Sequence, residues 1–549
     1  MPDPRTEPPP RYYLDNYRTL IQWVQARYAD LLLPAEQDFI ARFSALADAP
    51  AALLVRMITR KGQWFRADKF NYPEIGTRTH IDEALAALAQ AGLIDRGQHP
   101  DLAQLFALYT RADIAPWLGQ MSGTKAEWLA QASATYGEAA LDWHACGFPA
   151  ALYAQRIALT CMAECEILNL LFFGNLRQSL SEFVLSELGI FRYETVPLDA
   201  ASRSFQRRDQ VQAYMDLHRL RERFDAEDNP LECLQQLGDI PDLAWLAKRY
   251  HRFRYRLGYR LEQLSQYQDA VTCYRDNPLP EARPRLVRCL EKAGELADAL
   301  THAIQVKNAP RNEQERQWVA RALPRLQRAA GHTPEKPERF TPATSRLTLP
   351  NTGVRVEQQA AAFFSAEAAP VFHCENTLWT GIAGLVLWPA VFAPMPGAFF
   401  HPFQAGPKDL HDADFVAQRQ ALIDACLHTL AAADWALVLR QRYADKVGVQ
   451  SPFVHWDYFT EAQLELALAC IPAQHFALII RRMLFDIQAN RAGFPDLVQF
   501  YPQEQRYRMI EIKGPGDRLQ DNQLRWLQFF HRHQMPAEVV HVEWATDAG

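Results

Sequence analysis

The sequence predicts a multidomain protein with a helical N-terminal region, a middle region of helical repeats and a C-terminal α/β domain. The chain has 549 residues, whereas one hydrophobic core usually stops growing at about 250 to 300. Apolar residues recur at helical spacing early in the chain, and strand-like segments occur near its end. We therefore predict a helical region over 1–230, repeats over 231–331, a linker over 332–351 and an α/β domain over 352–549.

The amino-acid composition indicates a globular protein and not a membrane or secreted one. With 48% hydrophobic and 22% charged residues the chain is of the globular type, and three prolines interrupt its longest apolar stretch, 386–400. We therefore expect no membrane segment and a cytoplasmic location. Residues 1–11 hold five prolines, which is typical of a frayed arm and not of a signal peptide. The net charge of -6 argues against a protein whose whole surface binds nucleic acid. Any nucleic-acid-binding surface must therefore come from local clusters of basic residues.

The nine cysteines include no Cys-x-x-Cys pair. Cys161 and Cys165 have the spacing of one helix face, and we expect reduced thiols in the core and not a zinc site.

The N-terminal region shows helical spacing from Leu20 to Leu31 and again over 82–93, which predicts an all-α region. Within it, residues 55–72 contain five basic residues, one acid and four aromatic residues. This mixture suits contact with DNA phosphates and stacking on bases, and it equally suits a solvated helix face. A second basic segment, 243–260, is either a phosphate track or a packed helix with its arginines extended into solvent.

The middle region contains an internal repeat. Leu261 and Leu290, and likewise Ala270 and Ala299, are 29 residues apart in two similar segments. This predicts tetratricopeptide-like helix hairpins, and because such repeats usually dock another molecule we expect a protein partner there.

Near the C-terminus, residues 494–501 and 507–514 read as two strands joined by a turn. Since side chains alternate along a strand, Glu511 and Lys513 share one face, and the hairpin register brings Asp496 beside them. Two carboxylates placed together repel each other unless a hard cation lies between them, so we predict bound Mg²⁺ or Mn²⁺. Lys513 can orient a water molecule or stabilise charge on a phosphoryl oxygen. The alternative is a surface hairpin with solvated side chains.

Three further residues are candidates for the same site. Glu375 falls on the apolar face of a predicted helix, where a carboxylate without a partner is rare, so a third metal ligand is favoured. Gln523 points inward on another helix, toward the site or toward the backbone. Gln404 lies in a loop and is placed at the edge of the site.

The C-terminal segments, together with ENTLWTGIAGLVLW, PFQAGPKDL and LLVRMITRKGQWFRADKFNYPEI, resemble the Fanconi-associated nuclease family, whose VRR-NUC domain belongs to the PD-(D/E)XK superfamily. The resemblance implies a restriction-endonuclease-like α/β nuclease domain, a tetratricopeptide-like middle and a helical, SAP-like DNA-binding region at the N-terminus. It implies 5′ flap endonuclease and 5′ to 3′ exonuclease activity on branched or flapped double-stranded DNA, in interstrand crosslink repair.

Carried over by position, the resemblance implies metal binding by Glu375, Asp496, Glu511 and the carbonyl of Ile512, with Lys513 as the catalytic lysine.

The resemblance also bears on DNA binding. It implies DNA contacts in the N-terminal region at Arg56, Lys61, Tyr72 and Tyr13. The sequence departs from animal members at Gln488 and Asn522, where they carry the basic residues of a 5′ phosphate pocket, which leaves that pocket and the spacing of cleavage open.

Two other functions remain as alternatives: a non-catalytic DNA-binding repair scaffold, and a restriction-type enzyme that reads sequence. No recognition helix with arginine and asparagine at groove spacing is present, which disfavours the second. For a bacterial protein with the leading function we expect association with the nucleoid.

Overall fold

The computed structural model describes residues 10–60, 62–119, 122–178, 191–226, 229–334 and 340–545. The chain divides into two compact units, one of 1–191 with 206–208, the other of 192–205 with 209–549. Most of the predicted N-terminal arm lies outside the described residues. Among those described, no single helix is long and apolar enough to cross a membrane, although one sharply bent helix pair passes by length and composition.

The N-terminal unit is built mainly from helices, as predicted. The buried positions of its first helix include Leu20, Val24 and Tyr28, which are the residues that the helical spacing selects. The helices are Tyr12–Tyr28, Pro34–Ser44, Asp48–Ile58, Arg78–Gln90, Leu102–Leu108, Arg111–Leu118, Lys125–Tyr136, Ala150–Tyr153 and Met162–Phe173, with 3₁₀ turns at Ala29–Leu31 and Ala67–Lys69.

The prediction of an all-α region is wrong in one respect, because this unit also contains a small antiparallel sheet. Its strands are β1 (Trp64–Arg66), β2 (Ile94–Asp95) and β3 (Arg156–Leu159), in the order β1-β3-β2. Strands of two to four residues are too short to produce a visible alternation in the sequence.

The middle of the chain forms helix pairs. Their helices are Arg208–Asp225, Pro230–Gln236, Ala244–Gln263, Tyr267–Tyr274, Ala282–Lys292, Leu296–Asn308 and Glu313–Ala329. Leu261 and Leu290 are both fully buried, and so are the matching alanines of the repeat. Ser265 and Gly294, also 29 residues apart, both have positive φ (60° and 87°) at the turn inside each pair. The sequence repeat is therefore a repeat of structure.

The C-terminal α/β region is organised around a mixed five-stranded sheet in the order β4-β8-β7-β6-β5. The strands are β4 (Thr344–Leu349), β5 (Val371–His373), β6 (Leu497–Tyr501), β7 (Arg506–Lys513) and β8 (Ala537–Trp544). The pairs β4·β8 and β8·β7 are parallel, and β7·β6 and β6·β5 are antiparallel. The sequence assigns 344–349 to a linker, but in the structure these residues extend the sheet as an edge strand.

Helices pack around this sheet and on one another, and Val356–Phe364, Glu461–Cys470 and Asp521–Arg532 contact its strands directly. The helices are Val356–Phe364, Thr377–Val391, Phe415–Gln418, Gln420–Thr429, Trp435–Lys446, Glu461–Cys470, Ala473–Phe485, Ile487–Asn490 and Asp521–Arg532, with a 3₁₀ turn at Pro502–Glu504. Both faces of β7 are buried: Met509 packs in the large core that surrounds Thr377–Val391, and Ile510 and Ile512 pack with β4 and β8 in a smaller core. The strand that ends in Glu511 and Lys513 is thereby fixed from both sides.

All nine cysteines are free thiols, and all but Cys146 are buried, as expected for core residues. Burial raises the pKa of the Cys374 thiol to about 12, which keeps it protonated and unreactive.

A buried ion pair lies beside the large core. The two terminal guanidinium nitrogens of Arg419, Nη1 and Nη2, donate to Asp409 at 2.7 and 3.1 Å, and Arg419 Nε donates to the carbonyl of Ala390. We expect Arg419→Ala to lower the free energy of unfolding by about 3 to 5 kcal/mol, because Asp409 would be left buried without its cation. Chemical denaturation measures this change. An Arg440→Ala variant, which breaks an exposed pair with Glu465, serves as the control and should cost about 1 kcal/mol or less. Equal losses in both variants would contradict this account.

Candidate metal centre

The predicted C-terminal hairpin is present. Strands β6 and β7 pair antiparallel, with Leu497 opposite Ile510, and the 3₁₀ turn Pro502–Glu504 joins them. Asp496 directly precedes β6, and the backbone N–H of Ile512 donates to Asp496 Oδ2 at 2.8 Å. The register therefore brings Asp496 to the end of β7, as the alternation of side chains predicts.

Glu511 and Lys513 lie on the same side of β7 and form an ion pair, with Lys513 Nζ 2.7 Å from Glu511 Oε1. Both are buried, Glu511 being 1% exposed and Lys513 8%. The contact lacks the angles of a hydrogen bond, and Glu511 Oε1 has no other donor among the described residues. Lys513 is thus the one partner of this buried carboxylate oxygen among the described residues, which leaves room for a cation as a second partner.

The charges at this position are unfavourable without a cation. Burial, with the nearby charge of Asp496, raises the pKa of Glu511 to about 8, and the ammonium of Lys513 opposes this rise. Burial also raises the pKa of Asp496, although the hydrogen bond from Ile512 counteracts it. Two neighbouring carboxylates, one partly and one fully buried and both with a raised pKa, suit a hard divalent cation, which favours their charged forms.

Glu375 reaches the site, but not in the way that the sequence predicts. The helix begins at Thr377, so the prediction that Glu375 lies on its buried apolar face is wrong. Glu375 is exposed in the preceding turn with a φ of 21°, and its N–H donates to the carbonyl of Asp496 at 3.1 Å. This backbone bond, together with that from Cys374, holds Glu375 next to Asp496.

These residues share an open cavity of about 780 Å³. Its walls are formed by Arg355, Val356, Glu357, Gln358, His373, Glu375, Tyr458, Asp496, Ile512, Lys513, Asp517 and Gln523. The cavity thus unites three of the predicted ligand positions with the lysine, and Glu511 is buried beneath Lys513.

The fit to a metal ion is good for the inner residues. Asp496 and Glu511 provide carboxylate oxygens, and the adjoining backbone of Ile512 provides a carbonyl, all hard donors of the kind that Mg²⁺ and Mn²⁺ prefer. Across the described ranges, no three His, Cys, Asp or Glu side chains already converge as a complete metal site. Glu375 is the outlying member, since its Oε1 accepts a hydrogen bond from Asn376 at 3.1 Å.

Four charged or aromatic residues of the cavity wall were not predicted from the sequence. Glu357 lies in the helix Val356–Phe364 that follows β4, and its charge helps to raise the pKa of Asp496. Arg355 directly precedes the same helix, and His373 and Tyr458 line the cavity from two other segments. Only tertiary folding brings them together.

The two glutamines predicted for this site differ in their positions. Gln404 is buried and its side chain closes its own loop through bonds with Phe400, His401 and Ala398, so the structure does not place it at the edge of the cavity. Gln523 lines the cavity and is half-buried, and its Oε1 accepts from the N–H of Gln520 at the start of the helix Asp521–Arg532.

The candidate DNA-binding residues of the N-terminal unit form one cluster. Arg56 donates twice to Glu74 Oε1, at 2.6 and 3.0 Å, and its guanidinium lies 4.0 Å from the centre of the Tyr13 ring. Tyr13 and Tyr72 are only 5% and 7% exposed, so stacking of a base on either ring is not favoured in this conformation. Lys61 lies outside the described residues.

The two positions of the phosphate pocket also differ in their surroundings. Gln488 lines a separate cavity of about 110 Å³ with Arg252, Arg311 and His411. Asn522 lies at the start of the helix Asp521–Arg532, and its Oδ1 accepts from the N–H of Gln523. Neither position carries a charge itself, but two arginines line the cavity of Gln488, so the presence of a 5′ phosphate pocket stays open.

The second basic segment is the helix Ala244–Gln263. Its apolar residues, Phe253 and Leu257 among them, are buried, whereas Lys248 pairs with Asp412 and Arg256 pairs with Asp225. This arrangement agrees better with a packed helix than with a phosphate track.

Comparisons with known proteins identify two domains and several relatives of this chain. Residues 432–544 match the sequence model of the VRR-NUC domain, and residues 11–95 match that of the FAN1 HTH domain. The chain is 42% identical to a Fanconi-associated nuclease 1 homolog of Pseudomonas aeruginosa, over 98% of this chain and 97% of that one. It is 25% identical to a homolog of Arabidopsis thaliana, over 98% of this chain and 67% of that one.

A solved structure is similar over the whole chain. The crystal structure of paFAN1 bound to 2-nucleotide 5′ flap DNA with a gap has a TM-score of 0.80 and 41% identity, covering 99% of this chain and 100% of that one. The chain therefore belongs to the Fanconi-associated nuclease family, and its VRR-NUC domain is that of a divalent-metal-dependent DNA nuclease.

Proposed function

We propose that this protein is a structure-specific DNA nuclease that cuts at 5′ flaps, degrades DNA in the 5′ to 3′ direction and acts in interstrand crosslink repair. The observation that carries the proposal is the pair of neighbouring carboxylates beside Lys513: Asp496 is partly buried and lines the open cavity, and Glu511 is buried behind it in an ion pair with Lys513. The flap DNA in the similar paFAN1 structure supports the choice of substrate.

In this proposal Asp496, Glu511, the carbonyl of Ile512 and Glu375 hold Mg²⁺ or Mn²⁺, with Glu375 turning away from Asn376 to do so. The cation supplies Lewis-acid stabilisation of the negative charge on the scissile phosphate. Lys513, held by its ion pair with Glu511, donates a hydrogen bond to the phosphoryl oxygen where charge develops, or to the attacking water. Gln523 borders the cavity and orients a polar group of the substrate or a water molecule.

The remaining regions serve DNA binding in this proposal. The N-terminal region supplies a SAP-like helical element that grips the duplex, and the helix pairs of the middle are tetratricopeptide-like repeats that support the nuclease domain or bind a protein. The protein acts in the cytoplasm, at the nucleoid in a bacterium.

The experiment that tests the proposed function compares labelled 5′ flap, 3′ flap, nicked and intact duplex DNA with the purified protein and Mg²⁺ or Mn²⁺. We expect the 5′ flap to be cut fastest, with no cutting in EDTA. Binding without cleavage of any substrate would indicate the scaffold, and cleavage only at particular sequences would indicate a restriction-type enzyme.

DNA binding by the N-terminal region can be tested separately. If Arg56 and Lys61 each contact a phosphate, the double variant Arg56→Ala, Lys61→Ala weakens binding to all DNA sequences alike and lowers the slope of log affinity against log salt by roughly two. Fluorescence anisotropy over a range of salt concentrations measures the slope. Arg346→Ala, which removes an 80% exposed arginine of β4, is the control. An unchanged slope in the double variant would mean that this surface does not hold DNA and that Arg56 serves only as the partner of Glu74.

A further inference from the structure

An aromatic ring is exposed in the wall of the catalytic cavity. Tyr458 is 68% exposed, more than the other large hydrophobic or aromatic residues of the described chain, and it lines the cavity with Asp496 and Lys513. No hydrogen bond of its hydroxyl and no contact of its ring with another aromatic or cationic group is found among the described residues. Its ring face is therefore free for a ligand.

The backbone that carries Tyr458 is held firmly. The next residue, Phe459, is fully buried, and its ring lies so close to Gly381 that a Cβ there would approach it to 2.7 Å. The hydroxyl of Tyr443 donates to the carbonyl of Phe459, and the side chain of Thr460 caps the helix Glu461–Cys470. Tyr458 is thus presented by an anchored segment, and its exposure is not the result of a loosely packed loop.

The rest of the cavity indicates what the ring binds. Asp496 and Lys513 occupy the part that handles the scissile phosphate, and the exposed guanidinium of Arg355 lines the same cavity without an ion pair among the described contacts. A phosphate in this cavity brings its neighbouring nucleobase within the same space. Bases stack on aromatic side chains whatever their sequence, which suits an enzyme that recognises structure.

We propose that Tyr458 stacks on the nucleobase next to the scissile phosphate and so positions the strand for cleavage. This proposal rests on the proposed function, because it requires DNA in the cavity. It makes Tyr458 a substrate-binding residue that contributes through its ring and not through its hydroxyl.

The test combines variants with altered substrates. Tyr458→Ala, Tyr458→Phe and the wild type are assayed on 5′ flap DNA with a single abasic site placed at each nucleotide around the cut. We expect Tyr458→Ala to lower kcat/KM by roughly 5- to 100-fold on normal DNA, the loss of one stacked base, and Tyr458→Phe to retain wild-type activity. Leu437→Ala is the control, because Leu437 is similarly exposed (64%) but lies outside the cavity.

The abasic series identifies the contact. At one nucleotide the abasic site should slow the wild type as much as the alanine change does, and should slow Tyr458→Ala no further. Losses that multiply at every nucleotide, an alanine variant equal to the wild type, or a phenylalanine variant as slow as alanine would each overturn the proposal. In all three cases the wild type still cuts flap DNA, whereas a wild type that cuts none would refute the proposed function itself. Melting temperatures confirm that the variants are folded.

Discussion

Replacing Asp496 by Asn or Glu511 by Gln should reduce DNA cleavage by about three orders of magnitude or more, while DNA binding persists. Each change keeps the size of the side chain but removes a charged oxygen ligand from a site with few of them, so the cation and its stabilisation of the transition state are lost. Single-turnover cleavage of flap DNA measures the loss, and anisotropy measures binding. Glu543→Gln, on the exposed surface of β8, is the matched control.

Replacing Glu511 by Gln should also weaken the pH dependence of stability in EDTA. Because the pKa of Glu511 is raised to about 8, its contribution to stability is fully present below the usual carboxyl pKa and is lost as the pH rises through about 8. The glutamine does not titrate, so between about pH 5 and pH 9 the melting temperature of Glu511→Gln should fall less than that of the wild type, although Lys513 loses its counter-charge in the variant at every pH. Near-wild-type turnover in Mn²⁺ for either variant would remove the metal assignment.

Removing the ammonium of Lys513 should slow the chemical step by about two to three orders of magnitude with little change in metal affinity. This is the usual effect of deleting one electrostatic donor that acts on the transition state. Rates at saturating DNA and metal isolate the chemical step, and calorimetry measures Mn²⁺ binding. Lys513→Arg, which keeps the charge, should recover part of the rate. If Lys513→Ala abolishes metal binding and leaves the chemical rate unchanged, Lys513 is a structural partner of Glu511 only.

The hairpin could be predicted because its signals are local. A two-residue period and a short turn fix which side chains share a face, so Asp496, Glu511 and Lys513 follow from the sequence of residues 494–514 alone. The family resemblance correctly assigned Glu375 to the neighbourhood of the site, but the helical pattern placed it wrongly on the helix. The apolar spacing begins two residues before the helix itself, which starts at Thr377. Boundaries of this kind depend on the backbone hydrogen bonds to Asp496, which no local pattern contains.

The rest of the site depends on tertiary structure. Strand β4 lies among prolines and pairs in parallel with β8 almost two hundred residues later, so it looks like a linker in the sequence. Glu357 and Tyr458 are separated by about a hundred residues and meet only in the folded cavity. Gln404 was assigned to the site although it does not belong there. Its side chain instead forms hydrogen bonds with backbone groups of its own loop.

The most direct test of the central claim is anomalous diffraction from crystals of this protein soaked in Mn²⁺. We expect an anomalous peak between the side chains of Asp496 and Glu511 and the carbonyl of Ile512. This peak should be absent from crystals of Glu511→Gln. A peak elsewhere in the molecule, or one that persists in Glu511→Gln, would contradict the claim that Asp496 and Glu511 hold the cation required for cleavage.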